Sequence, residues 1–146
     1  MDTPPRFRYA TPLDAPLLAP LNVQLIRDEG HCNSMTIEQL EQRMLVWLRG
    51  EYQAVIFELA SLDIGYALFR REPEHVYLRQ LFVDAVHRRQ GVARAAMRWL
   101  WHNAWADAPR VRIDVLVGNR DGQAFWRAVG FRAYCVTMEM DPSSAL

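Results

Sequence analysis

The apolar positions of the first fifty residues predict a strand followed by two helices. FRYAT (7–11) is typical of a short strand, and TPLD (11–14) marks a helix start, with a threonine cap, proline at the first helical position and an acid at the third. Because Pro16 and Pro20 lie inside the apolar segment that follows, we expect this helix to be kinked or to start late. A second amphipathic helix is predicted to end near Gly50. Its apolar residues at helical spacing are Ile37, Leu40, Met44, Trp47 and Leu48.

The middle of the chain changes to β-branched and aromatic runs. AVIFELA (54–60) and IGYALFRR (64–71) are joined by SLD and predict a hairpin. HVYLRQLFV (75–83) predicts a third strand after the EPE turn, and a helix is expected from about Gly91 to Trp105.

The last third predicts a strand, a short helix and a closing strand. VRIDVLV (111–117) alternates apolar and polar residues, a helix is expected from about Arg120 to Val129 with a stop at Gly130, and FRAYCVTMEM (131–140) completes the chain. The order β-α-α-β-β-β-α-β-α-β predicts one α/β domain over residues 1–146, with a single mixed, mostly antiparallel sheet flanked by helices.

Composition narrows the function classes. The chain has 146 residues and zero net charge, which argues against a nucleic-acid partner because such binding depends on summed positive charge. No stretch approaches the roughly 18 apolar residues of a membrane span, and the N-terminus lacks an apolar signal core, so we expect neither a membrane partner nor export. Cys32 and Cys135 lie far apart without metal-ligand spacing. They predict free buried thiols in the cytoplasm and no metal site, and the alternative is a disulfide between them.

A loop rich in arginine precedes the helix that starts at Gly91. The first turn of a helix has unpaired N–H groups and partial positive charge, so it attracts anions. Small residues at Gly91 and Ala93 allow a phosphate to approach the backbone, and the arginines Arg88, Arg89 and Arg94 add charged donors. These residues predict an anion cradle, and the alternative is an arginine-rich loop that caps an ordinary core helix.

Two segments of the chain resemble the signatures of the GNAT superfamily of N-acetyltransferases. RRQGVA (88–93) resembles the Arg/Gln-x-x-Gly-x-Gly/Ala motif, and LFVDAVH (81–87) precedes it where that family has the end of a strand. VLVGNRDGQAFWRAVGFRAY (115–134) is similar to the second signature, in which an asparagine and a short helix with two aromatic residues lead to Gly-Phe. RYATPLD (8–14) is similar to the usual first strand and helix cap, so the resemblance covers nearly the whole chain in order.

The resemblance implies acetyl-CoA as the acyl donor. In the family the pyrophosphate lies on the loop after the fourth strand. The pantetheine arm pairs with that strand where two neighbouring strands splay apart, and it also contacts the asparagine and the aromatic helix of the second signature. The implied coenzyme A residues are Leu81, Phe82, Val83, Arg88, Arg89, Gln90, Gly91, Val92, Ala93, Arg94, Asn119, Phe125 and Trp126.

Proton transfer departs from the family pattern at two positions. Many relatives have a tyrosine at the position of Trp126 as the general acid, whereas an indole N–H does not titrate. Many also have a carboxylate just before the strand end, where this chain has Arg79 and Gln80. Neither of the usual proton-transfer groups can therefore be carried over.

The loop between the first two helices, which walls the acceptor site in relatives, offers substitutes. Asp28, Glu29 and His31 cluster there. Glu29 and His31 are candidate catalytic bases, since the ordinary pKa of histidine is about 6.5, and Asp28 is a candidate substrate-binding residue. The alternative is that a polar loop contains polar residues without a catalytic role.

Arg79 suggests an acceptor that carries an anionic group such as a carboxylate. The alternative is a surface salt bridge between Arg79 and Glu58 or Glu74. The function expected from these features is acetyl transfer to a primary amine of a small molecule or peptide terminus, by direct attack in a ternary complex. The alternative is a non-catalytic acyl-CoA-binding or sensing domain. Dimers are common among similar proteins, and both a monomer and a homodimer remain open.

Overall fold

Five strands form one mixed sheet in the order β1-β2-β3-β4-β5 in a computed structural model that describes residues 3–30 and 32–144. The contacts divide the chain into two units, residues 1–114 and 115–146, and the whole sheet belongs to the first. The strands are β1 (Arg6–Tyr9), β2 (Tyr52–Leu59), β3 (Leu62–Arg71), β4 (Val76–Val83) and β5 (Val111–Ile113). The helices are α1 (Ala15–Glu29), α2 (Ile37–Arg49), α3 (Val92–Trp99) and, in the second unit, α4 (Arg120–Ala128).

The sheet is antiparallel except at β5, which runs parallel to β4. The register between β3 and β4 shifts in the middle, because Leu68 pairs with Gln80 whereas Phe69 pairs with Leu78. Arg79 is therefore the extra residue of a β-bulge, a feature that bends a strand and re-aims its side chains. The predicted fold class, a single mixed and mostly antiparallel sheet flanked by helices, is confirmed.

The helices of the first unit begin and end close to the predicted positions. A 3₁₀ turn, Pro12–Asp14, comes before α1, whose first residue is Ala15, so the helix starts late and includes Pro20. In α2, the Thr36 hydroxyl accepts a hydrogen bond from the backbone N–H of Gln39 at 3.2 Å. The helix after the arginine-rich loop is α-helical only through Trp99 and continues as a π turn, Leu100–Ala104.

Apolar side chains cover both faces of the central strands. On one face Tyr66 and Leu68 of β3 belong to the cluster that includes the buried residues of α1 and α2. Phe69, whose side chain alternates to the other face, packs edge-on against the fully buried Trp105 at 5.4 Å. β3 is buried on both sides from Ile64 to Phe69, which favours a backbone that is held firmly in the sheet.

The second unit contains α4 and an irregular C-terminal segment. The helix ends at Ala128, and Gly130 has a φ of +113°, consistent with the predicted stop. The closing strand predicted over 131–140 is wrong, because those residues have no ladder partner in the described chain and their large apolar side chains from Tyr134 onward are exposed. The predicted strand 111–117 is also shorter and ends at Ile113. β-branched and aromatic residues indicate side chains that fit a half-buried sheet surface. A strand also needs a neighbouring strand to pair with, and the composition of the segment does not provide one.

The two cysteines differ from the expectation in one respect. Cys32 and Cys135 are free, as predicted, but both are exposed rather than buried. Neither thiol therefore contributes to the core.

Gly65 of β3 is required by the close approach of β4. A Cβ built at this position lies 2.1 Å from the Phe82 carbonyl oxygen, which belongs to backbone and cannot move away cheaply. We expect Gly65→Ala to lower the free energy of unfolding by about 1–3 kcal/mol, the usual cost of overpacking a core. The control is Gly118→Ala, whose Cβ has no atom within 4 Å and which is expected to change stability by less than about 0.5 kcal/mol. Urea unfolding of both variants measures this, and equal stabilities would contradict the close approach.

Candidate active site

Within the described sheet, the C-terminal half of β4 has an edge on the side of β5 that no strand pairs, which we call the free edge. The parallel pairing covers only Val76–Leu78, opposite Val111–Ile113, whereas β3 remains paired with β4 as far as Val83. Residues 79–83 therefore present backbone N–H and C=O groups that β5 does not pair. Such an edge is a template on which an extended ligand with amide groups can add a further strand of hydrogen bonds.

A tight loop connects this strand to α3. Asp84 caps the first turn, and its Oδ1 lies 2.5 Å from Nδ1 of His87. Arg89 and Gly91 then have left-handed φ angles of +60° and +79°, which reverse the chain into the helix. No side chain caps the N-terminus of α3, so the backbone N–H groups of its first turn point outward without an intrahelical partner.

The arginines of this loop fall into two groups. Arg89 and Arg94 are exposed, and neither makes a hydrogen bond or ion pair with another described residue. Arg88 is engaged, since its Nε donates to the Val83 carbonyl at 2.8 Å and its Nη2 pairs with the Asp28 carboxylate. Asp28, a predicted substrate-binding residue, therefore connects the end of α1 to the loop.

Two further arginines lie against one tryptophan on the face of the sheet covered by α1 and α2. The guanidinium carbons of Arg43 and Arg79 are 4.4 and 4.8 Å from the centre of a Trp47 ring. Arg79 donates to the Tyr52 hydroxyl at 3.3 Å, and Arg43 donates to Oδ1 of Asn22 at 3.2 Å. Arg43 and Asn22 were missed from the sequence, because polar residues of a helix give no signal of which strand they will face.

Arg79 has no carboxylate partner in the described part of the chain. Glu58, one of its two expected partners, accepts a hydrogen bond from Nε of Arg8 at 2.6 Å instead. Glu74 makes no ion pair with Arg79 either, so the expected alternative of a surface salt bridge is wrong. The arginine is left exposed on the bulge of β4.

Tyr66 places a buried hydroxyl beside these groups. Its Oη donates to Oε1 of Gln80 at 2.7 Å. Burial raises the pKa of Tyr66 far above its ordinary value, an effect that the nearby charge of Arg43 opposes and the charge of Glu29 reinforces. The phenol therefore stays neutral at physiological pH, and it orients Gln80 rather than titrating.

Two buried donors in the same region lack partners. Nδ2 of Asn22 and Nε of Arg43 are inaccessible to solvent and form no hydrogen bond with the described residues. The Asn22 amide is near enough to the Tyr66 hydroxyl to favour its ionised form slightly, but without the geometry of a hydrogen bond. An unsatisfied buried donor costs about 1–3 kcal/mol, and an acceptor atom that reached either of these groups would remove that cost.

The second unit holds the remaining residues predicted to contact the coenzyme. Asn119 caps α4, with its Oδ1 accepting from the Gly122 N–H at 3.0 Å. Trp126 packs edge-on between Phe125 and Phe131, at ring distances of 5.0 and 5.3 Å. Within this unit the asparagine and the aromatic residues have structural roles that explain their spacing in the sequence.

The acetyltransferase (GNAT) family model matches residues 24–131, about three quarters of the chain. The chain belongs to the GNAT acetyltransferase family. No curated protein matches the sequence. The resemblance stated from the loop and the second signature is therefore confirmed at the level of the family.

Solved structures of acetyltransferases share the fold. An acetyltransferase from Thermus thermophilus is 22% identical, with a TM-score of 0.76 over 90% of this chain and 90% of that one. A ribosomal-protein-alanine N-acetyltransferase from Brucella melitensis biovar Abortus 2308 is 15% identical, with a TM-score of 0.75 over 94% and 98%. An aminoglycoside N-acetyltransferase in complex with CoA is 18% identical, with a TM-score of 0.71 over 94% and 95%. At these identities the likeness establishes the fold.

Of the two residues predicted as bases in this GNAT protein, the structure describes only Glu29. Glu29 is the last residue of α1, half-buried, and close enough to Tyr66 for its charge to raise the pKa of that phenol. His31 lies outside the described residues. Within 3–30 and 32–144, no three His, Cys, Asp or Glu side chains are grouped so that they could hold a metal ion, and no helix is long and apolar enough to cross a membrane.

The buried phenol of Tyr66 predicts how stability changes at alkaline pH. A raised pKa means that the neutral phenol stabilises the folded state below the unfolded pKa of about 10, and that this contribution is lost as pH rises toward the folded value. Above pH 10 we expect the free energy of unfolding of wild type to fall by about 1.4 kcal/mol per pH unit more than that of Tyr66→Phe. At pH 7 the variant is expected to be less stable by about 1 kcal/mol, because Gln80 loses its hydrogen bond.

Urea unfolding at pH 7 to 11.5 measures how the difference in free energy of unfolding between wild type and Tyr66→Phe changes with pH. Burial and the Asp114 carboxylate raise the pKa of Tyr77 to about 12. Tyr77 is present in both proteins, so it contributes equally to the pH dependence of their stability. The matched control is Tyr9→Phe at an exposed tyrosine, which is expected to keep the wild-type slope. Parallel curves for wild type and Tyr66→Phe would show that Tyr66 is not the buried titrating group.

Proposed function

We propose that this protein is an acetyl-CoA-dependent N-acetyltransferase that acetylates a primary amine of a small molecule or peptide terminus. The observation that carries the proposal is the uncapped N-terminus of α3, which follows the free edge of β4 after one loop and has two arginines without partners among the described residues. Membership of the GNAT family supports the same donor.

The residues present fit the donor at both of its polar parts. The outward N–H groups of α3, from Val92 to Arg94, suit the pyrophosphate, since the first turn of a helix favours anions. The free edge at Leu81–Val83 suits the amides of the pantetheine arm. Gln90 and Arg88 are held by contacts with the chain itself, so Arg89 and Arg94 are the side chains open to phosphate oxygens.

Acetyl-CoA supplies the thioester. The amine nitrogen bonds to the acetyl carbon, the C–S bond breaks, and one proton passes from nitrogen to a base. Backbone N–H groups near Phe82 and Val83 suit the developing oxyanion. We assign the proton to Glu29 or His31. The thiolate, with a pKa of about 8.5 as a thiol, can leave without the acid that Trp126 does not supply.

Arg94 and Arg98 lie one turn apart on α3. Substituting each in turn distinguishes a specific contact with phosphate from the effect of the total charge of the protein. We expect Arg94→Glu to weaken acetyl-CoA binding more than tenfold, because it replaces a donor to phosphate with a repelling carboxylate. Arg98→Glu makes the same charge change beyond the first turn and is expected to change the Kd less than threefold. Isothermal titration with acetyl-CoA and CoA measures both, and equal effects of the two variants would remove the cradle from the proposal.

A turnover assay distinguishes an acetyltransferase from a non-catalytic acyl-CoA sensor. The missing tyrosine at Trp126 keeps a non-catalytic acyl-CoA sensor as a second candidate. Free thiol released from acetyl-CoA in the presence of a panel of primary amines reports transfer. Binding of acetyl-CoA without amine-dependent thiol release from any member of the panel would favour the sensor.

A further inference from the structure

We propose that the acetyl acceptor carries a carboxylate, bound by Arg79 and Arg43 together with the Asn22 amide beside Trp47. This inference rests on the proposed function and names the substrate class of its acceptor site. It is carried by the charges, by the unpartnered donors and by the position of the bulge.

Two guanidiniums share one indole, and burial, together with the repulsion from Arg79, lowers the pKa of Arg43. Over 3–30 and 32–144, neither guanidinium is within ion-pair distance of a carboxylate. Two positive charges that face the same aromatic side chain favour a bound anion, since it reduces their repulsion.

The unpartnered groups are all donors. Asn22 is fully buried and its Nδ2 has no hydrogen-bond partner among the described residues, and the same holds for Nε of Arg43. Arg79 uses only Nη1, toward the Tyr52 hydroxyl. A ligand that offers acceptor oxygens and no donor satisfies these groups, and a carboxylate is the smallest such ligand with negative charge.

The position links this site to the site of transfer. Arg79 is the extra residue of the bulge in β4, and it stands two residues before Leu81 on the free edge. Two residues of a strand span about 7 Å, a distance that a molecule the size of an amino acid can bridge. A carboxylate held at Arg79 therefore places the amine of an amino-acid-sized acceptor close to the edge where the thioester is expected.

The acceptor test compares each acid with its own amide. The panel contains L-amino acids and ω-amino acids, the carboxamide of each, and phosphoethanolamine. We expect kcat/KM to be at least tenfold higher for the best acid than for its amide. In Arg79→Gln the ratio is expected to fall to less than threefold, through loss of the acid's advantage. Arg43→Gln lowers the same ratio, whereas Arg49→Gln, at an exposed position of the same helix, keeps the wild-type ratio.

The outcomes separate this inference from the function on which it rests. Amine turnover with an acid-to-amide ratio near one overturns the carboxylate and leaves the acetyltransferase intact. A preference for phosphoethanolamine over every acid assigns the two arginines to a phosphate instead. If acetyl-CoA does not bind wild type, the proposed function fails. Isothermal titration of the same acids and amides into wild type and Arg79→Gln then decides the anion site, and equal affinities for acid and amide overturn it.

Discussion

The short pairing between β4 and β5 is the constraint on which the candidate site depends. β3 holds β4 over its whole length, and the buried residues on both faces of β3 keep that backbone in place. β5 holds β4 for only three residues. A strand that is fixed on one side and open on the other gives rigid, unpaired backbone groups, which are what a ligand with amide groups requires. The loop into α3 begins where this strand ends, so the free edge and the uncapped helix terminus lie in sequence along one continuous segment.

Arginine serves four different purposes in this protein, and the surroundings of each side chain decide which. Arg8 is neutralised by Asp14 and Glu58, and these carboxylates hold its pKa above the ordinary value. Arg88 ties the loop to α1 through Asp28. Arg89 and Arg94 remain open at the helix terminus, and Arg79 remains open on the bulge. The neutral total charge therefore conceals two local excesses of positive charge, one at each end of the expected path from donor to acceptor.

This chain lacks the titrating side chain that the family resemblance implies at the position of Trp126. Trp126 packs among aromatic residues and has no titrating group, and the buried phenol of Tyr66 stays neutral because burial raises its pKa. The hydrogen bond from Tyr66 fixes Gln80, the neighbour of Arg79 on the bulge. Tyr66 therefore orients a neighbouring side chain and does not titrate at physiological pH.

The sequence by itself determined the fold class, the approximate helix bounds and the position of the loop before α3, because these depend on local periodicity, caps and glycine. It also determined the family, since the loop signature and the segment from Asn119 to Phe131 have fixed spacing. Only the tertiary structure decided that residues 131–140 form no strand, that Asp28 pairs with Arg88, and that Arg43 and Arg79 meet at Trp47. Those outcomes depend on which strand lies beside which and on which helix face covers the sheet. These are long-range pairings between residues tens of positions apart, and no local pattern encodes them.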